Sequence, residues 1–230
     1  MHSEHLERTM KHRRSAPPRR QQGLTLIVVM LVLVVVMVLG IGGAQIALLG
    51  ERSTRYDRDY LVATQAAEAA LMDAEQDICG PNVGAAACGP NGSSVNSRVS
   101  RFDSASTGIF LDGCGTGPAS ATSSQGLCAA PADEAKPVWA TIDFLNAGST
   151  ARSVQFGDYT GRVFKAGATG VQPELMPRYI IEVIDDLGIG GNAGASASPR
   201  PKMYRITAIG FGPRKEVQVV MQTAYRKQKG

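Results

Sequence analysis

Histidine is nearly missing from this chain, and its placement matters more than its scarcity. All three residues, His2, His5 and His12, lie at the extreme N-terminus, so a domain folded from the remainder has no imidazole. That removes Ser–His–Asp and Cys–His nucleophile activation from such a domain, together with the commonest catalytic zinc sites. Charge is missing over a long run: residues 21–50 contain no Asp, Glu, Lys or Arg. Proline and glycine are both missing from 51–79. There is no Cys-x-x-Cys pair, which argues against zinc-ribbon or thioredoxin-type chemistry. Finally, no small-x-small site closes the apolar run, and the run is too long for a secretory signal peptide.

What is present fits those absences. The segment 24–49 reads LTLIVVMLVLVVVMVLGIGGAQIALL. As a helix it spans roughly 39 Å, enough to cross a hydrocarbon core of about 30 Å, and backbone groups in a bilayer must pair within their own segment. The net charge of +4 comes wholly from the N-terminal block, where Arg8, Lys11, Arg13, Arg14, Arg19 and Arg20 face only Glu4 and Glu7. By the positive-inside rule this block stays cytoplasmic and everything after the helix lies across the membrane. A nucleic-acid partner is not expected, because the basic excess sits in a flank that orientation already explains and only a small basic tail, 225–229, remains.

The helical pattern continues beyond the apolar run. Tyr60, Ala63/Thr64, Ala67, Ala70/Leu71, Ala74 and Ile78 recur at three-to-four spacing and form one stripe, with Arg58, Gln65, Glu68, Met72 and Glu75 on other faces. The expected element is one helix, apolar all round over 24–50 and amphipathic over 51–79, its alanine stripe suited to close packing on a sheet. Gly40, Gly42 and Gly43 each cost a helix about 1 kcal/mol relative to alanine. They form either a small-residue packing surface or a stretch able to lose helicity and lengthen.

Residues 80–177 are rich in Gly, Ala, Ser and Pro, and Cys88, Cys114 and Cys128 fall there, with Cys79 just before. Little aliphatic content is available for a core, so disulfides, each worth about 2–4 kcal/mol, are what this segment needs. Of the three pairings open to four cysteines, short loops favour Cys79–Cys88 with Cys114–Cys128. Residues 138–145 and 153–164 read as strands or irregular edges, and Trp139 as a core residue. The acidic loop 185–192 has calcium-binding oxygens but not EF-hand spacing, so a solvated turn is expected and no metal or other cofactor. The clearest β signals close the chain: RYIIEVID at 178–185, KMYRITAI at 202–209, and KEVQVVMQTAY at 215–225 with period two. The last two form a hairpin around 210–214. The expected fold is α+β, a long N-terminal helix packed on a C-terminal antiparallel β-sheet over 178–230.

Together these features resemble a type IV prepilin: a basic leader ending in glycine, a hydrophobic N-terminal helix, and a sheet packed on its second half. The resemblance extends to the PilX-like minor pilins through QAAEAAL at 65–71, YRITA at 204–208, the glycine turn at 210–212 and a last strand closing on Tyr225-Arg226. It covers both ends of the chain and leaves 80–177 unmatched. It implies a leader over 1–23, cleavage between Gly23 and Leu24 by a prepilin peptidase, and N-methylation of Leu24. Major pilins carry Phe at the first mature position and Glu at the fifth, whereas this chain has Leu24 and Val28. That glutamate neutralises a neighbour's N-terminal ammonium inside an apolar filament core, so its lack suits a subunit at the tip better than one in the shaft.

The implied function is a minor pilin, not an enzyme, that initiates, primes or caps a type IV pilus. The implied partners are other minor pilins, the major pilin, an inner-membrane assembly platform and a tip adhesin. The implied location is the inner membrane with a periplasmic domain, then a surface filament. Two alternatives share most of these features: the K-type minor pseudopilin of type II secretion, which also lacks the glutamate, and an uncleaved signal-anchored periplasmic domain.

Overall fold

A computed structural model describes residues 24–80, 95–102, 107–131, 136–167, 170–185 and 202–227. The leader 1–23, Cys88 and residues 186–192 of the acidic loop lie outside the described residues. The chain clusters into two compact units, Met1–Arg52 and Ser53–Gly230.

A single helix, α1, runs Leu24–Cys79 without interruption, passing through Gly40, Gly42 and Gly43 in helical form. A Cβ added at any of those three glycines would meet nothing within 4 Å, so the small-residue surface they make is open. The helix stops where Gly80 takes φ 85° and its N–H bonds back to Gln76 O at 2.7 Å. A glycine in the left-handed region is the usual way to satisfy the last carbonyls of a helix.

Within the second unit, the amphipathic part of α1 packs on a sheet of five strands: β1 Leu127–Cys128, β2 Val154–Gln155, β3 Arg178–Asp185, β4 Lys202–Phe211 and β5 Gln218–Tyr225. β3, β4 and β5 form an antiparallel meander, Tyr179 opposite Ala208 and Ala208 opposite Met221. Two short strands share the other edge of β3, with β2 antiparallel at Tyr179 and β1 parallel at Ile181 and Glu182. The sheet is therefore mixed at that edge rather than antiparallel throughout. The alternation expected of the last strand is seen in β5, where Val219 is buried and Gln218, Val220, Gln222 and Ala224 are exposed.

Ala63, Ala66, Ala67, Ala70 and Ala74 are fully buried, together with Ile78. Tyr60 does not belong to the stripe; it is 57% exposed, and Asp59 takes its place against the domain. Gly210, expected in a turn, is a strand residue of β4, and the hairpin loop is shifted to 212–217. The physical reason lies in the helix contact: a Cβ on Gly210 would stand 2.1 Å from Ala63 O and 2.3 Å from Ala67 N. A strand glycine often marks where another backbone approaches closely.

The core lies on both faces of the sheet. On the α1 side, Ala70, Ala74 and Ile78 pack with Phe102, Leu127, Tyr179, Ile181, Tyr204 and Ile206. On the opposite side, Ile180, Ile209 and Phe211 pack with Cys114, Cys128, Val138, Ile142 and Phe144. Trp139 packs at the margin of that second cluster, as a core residue should. Its segment is not a strand, however. Val138–Thr141 forms a 3-10 turn after Pro137, and of 153–164 only Val154–Gln155 pairs. Gly157 and Gly161, at φ 87° and 72°, turn the rest away from the sheet.

Candidate functional site

Two features have chemistry to offer: the apolar helix surface and a row of buried carboxylates. Leu24, the first of the described residues of α1, is 71% exposed, while Val28 is 53% exposed. Every large apolar side chain from Leu24 to Leu49 is exposed in the same way, all round the helix. By length and composition this stretch is suited to crossing a membrane. No charged side chain on it, only Thr25 and Gln45 as polar ones, interrupts burial in lipid or against other helices of the same kind.

The carboxylates are on the other half of α1. Asp59, Asp73 and Asp77 stand on the face that carries the alanine stripe, and all are buried. Each holds a different later segment of the chain. Asp77 receives three hydrogen bonds from Arg98, from Nε at 3.0 and 3.1 Å and from Nη2 at 2.6 Å, and a fourth from the Tyr179 hydroxyl at 3.0 Å. Arg98 is itself fully buried, donates to Gln125 O at 2.7 Å, and lies 3.6 Å from the centre of the Tyr159 ring. Burial pulls the Arg98 pKa down, but the adjacent Asp77 carboxylate more than offsets this and holds it raised. Burial, then the charge of Asp77, lifts the Tyr179 hydroxyl well above its usual range, so it stays a donor.

Asp73 accepts from Gly157 N at 2.8 Å and Thr160 Oγ1 at 2.5 Å, with Arg162 Nη1 at 3.7 Å. Burial lifts its pKa to about 6 although those three groups pull it down. Asp59 meets Arg214 of the hairpin loop at 3.4 Å, and Arg214 also lies over the Tyr56 ring. Carboxylates on one helix thus pin the segments around Arg98, 157–162 and 212–217 onto it.

Of the four cysteines, Cys114 and Cys128 form a disulfide, as short loops favour. The bond anchors β1, which is fully buried, beneath the second core cluster. Cys79 is also disulfide-bonded, at the end of α1. The carboxylate row and Arg98 were not found by sequence reasoning. A signal existed: Asp59, Asp73 and Asp77 are spaced by multiples of a helical turn along the alanine stripe, where a solvated charge does not belong.

Residues 22–71 match the family model described as PilX N-terminal, and residues 114–227 match that of the type IV pilus assembly protein PilX C-terminal region. The chain belongs to the PilX family. The N-terminal PilX model covers the apolar helix and the alanine stripe up to Leu71, and the C-terminal one runs from Cys114 through β5. Asp77 and Arg98 both fall between the two matched regions, so that pair is built wholly outside them. No curated protein and no solved structure matches this PilX-family chain. Membership makes it a component of type IV pilus assembly, with a helix suited to membrane anchoring and a pilin-like α+β domain.

Proposed function

We propose that this chain is a non-enzymatic minor pilin that starts or caps a type IV pilus at its tip. The observation that carries the reading is Val28. An exposed apolar side chain stands at the fifth position of α1, where shaft subunits carry the glutamate that neutralises a neighbour's ammonium. A subunit without that carboxylate leaves the ammonium of an earlier-added subunit unpaired in an apolar core, which is costly except at the tip, where no earlier subunit has to be paired.

On this reading the basic leader 1–23 stays cytoplasmic, a prepilin peptidase cuts between Gly23 and Leu24, and Leu24 is N-methylated. The domain is then periplasmic, where Cys79–Cys88 and Cys114–Cys128 form. Assembly extracts the helix from the inner membrane and packs it against the helices of other minor pilins and the major pilin. The platform protein in the inner membrane and an adhesin at the tip are the further partners the reading calls for.

The test is the intact mass and N-terminal sequence of the protein from its native host, without reduction. A start at methylated Leu24, with a mass short by the protons of two disulfides, supports the reading. A start at Met1 sinks it and leaves a signal-anchored domain.

A further inference from the structure

On the sheet face opposite α1 there is an open pocket of about 240 Å³, lined by Phe144, Leu145, Met176, Phe211, Glu174 and Arg178 among others. Its walls are mostly apolar, and among the described residues its one cationic lining residue is a buried arginine. Arg178 is 4% exposed, the first residue of β3, paired with Gln155 on one side and Ile209 on the other.

The hydrogen bonds of Arg178 all go to Ser153: Nε donates to Oγ at 2.8 Å and Nη2 to the carbonyl at 2.8 Å. No carboxylate lies within ion-pair distance of it among the described residues. This sets it apart from Arg98, Arg205 and Arg214, each of which meets a carboxylate. Among the described residues the sealed polar side-chain atoms without a partner are Asp59 Oδ1 and Arg162 Nη1. Arg178 Nη1 is not among those sealed atoms, and Arg178 is one of the residues that line this pocket. Burial lowers the pKa of this arginine, with only the more distant Asp158 acting against it. A buried guanidinium with a spare donor and no carboxylate within ion-pair distance is an incomplete ion pair.

We propose that this pocket takes a carboxylate side chain, flanked by apolar residues, from a partner polypeptide. Arg178 Nη1 donates to the carboxylate, and Leu145, Met176 and Phe144 cover the flanking apolar groups. The size decides between a peptide and a free metabolite. A pocket below the roughly 300–1,000 Å³ of small-molecule sites holds one or two side chains, and Leu145 at its rim is 52% exposed. The charge decides against a polyanion. Glu174 also lines the pocket, with Oε2 accepting from Lys215 N at 2.8 Å, and it repels a ligand that carries negative charge along its length. The site lies across the sheet from α1, so an occupant does not compete with helix packing. It also stands without the minor-pilin reading, because neither leader processing nor position in a fibre enters it.

The experiment uses the full chain in detergent micelles with its disulfides intact and a ¹³C label on the methionine methyls. The probe is the end-capped tripeptide Leu-Glu-Leu. The Met176 methyl resonance is expected to shift and saturate at about 1 mM peptide, the range of a single desolvated ion pair with a small apolar contact. The capped peptide Leu-Gln-Leu, and acetate at the same concentration, are expected to shift it at least 10-fold less. Arg178→Gln is expected to weaken the Glu peptide at least 10-fold, and Leu145→Asp, an exposed rim change that leaves the core intact, to do the same. Equal response to the Glu and Gln peptides, equal response to acetate, or no response in the wild-type chain overturns the proposal. Should Arg178→Gln fail to fold, the Glu-against-Gln difference together with Leu145→Asp decides it alone.

Discussion

Asp77 and Arg98 are both fully buried, and neither has another full charge within ion-pair distance among the described residues. Removing one leaves the other as a bare charge in the core, a defect that costs about 3–5 kcal/mol. Asp77→Ala is therefore expected to lower the unfolding free energy of the domain, measured by urea titration, by that amount, and the paired change Asp77→Leu with Arg98→Met to cost less than the single one. A loss below about 1 kcal/mol for the single variant contradicts the pin. Asp73 makes a prediction of the opposite kind. Its folded pKa, about 6, lies above the ordinary 3.8, so the folded chain holds on to a proton that the unfolded chain releases. Its contribution to stability is whole below pH 4 and is lost as pH rises through 6, over a span of roughly 3 kcal/mol. Asp77, Arg162, Thr160 and the Gly157 amide are the groups that face it. Asp73→Asn is expected to flatten the urea midpoint between pH 4 and 7 and leave the domain no less stable at pH 7; an unchanged slope counts against it. At this scale the sequence was legible for Trp139 and the alanines, whose types state their environment. It was mute on Arg98, because nothing local tells a buried charge from a solvated one.

Among elements, helix α1 and strands β3 to β5 could be read because their periodicity, 3.6 or two, is carried by many residues at once. The segments 138–145 and 153–164 could not, since apolar runs of a few residues suit a strand, a 3-10 turn or an edge equally well until tertiary contacts choose. Gly210 shows the same limit: glycine beside glycine and proline looks like a turn, and only the approach of α1 makes it a strand residue. A Cβ there has no room, so Gly210→Ala is expected to cost about 1–3 kcal/mol through overpacking. Gly148→Ala, whose Cβ would meet its nearest atom at 3.7 Å, is the matched control and should lose little. Thermal unfolding followed by circular dichroism distinguishes them, and equal losses would remove the close helix–strand contact from the explanation. The disulfide Cys114–Cys128 closes a sequence separation of 14, for which loop entropy gives about 3 kcal/mol. Replacing both cysteines by serine should lower the unfolding free energy, measured by urea titration, by at least that much, since Cys128 is wholly buried and a hydroxyl there lacks the packing of sulfur.

For the whole molecule, the proposed periplasmic orientation rests on the net charge of +4, whose excess sits in the flank that precedes one apolar helix. Val163 is 92% exposed in the domain, which makes it a reporter. Val163→Cys in intact spheroplasts is expected to react with a membrane-impermeant maleimide before lysis, and labelling that appears only after lysis reverses the topology. The order of residues along the chain carries a further consequence. Asp59, Asp73 and Asp77 precede every group that later pins them: Arg98, Gly157, Thr160, Tyr179 and Arg214. While the ribosome is still making those residues, the second half of α1 waits with its alanine stripe bare. Three hydrated carboxylates then lie along that stripe, so the nascent helix offers other nascent helices a charged seam in place of a sticky one. The groups that lock the finished domain together are the same ones that keep its first element from aggregating before the sheet exists to receive it.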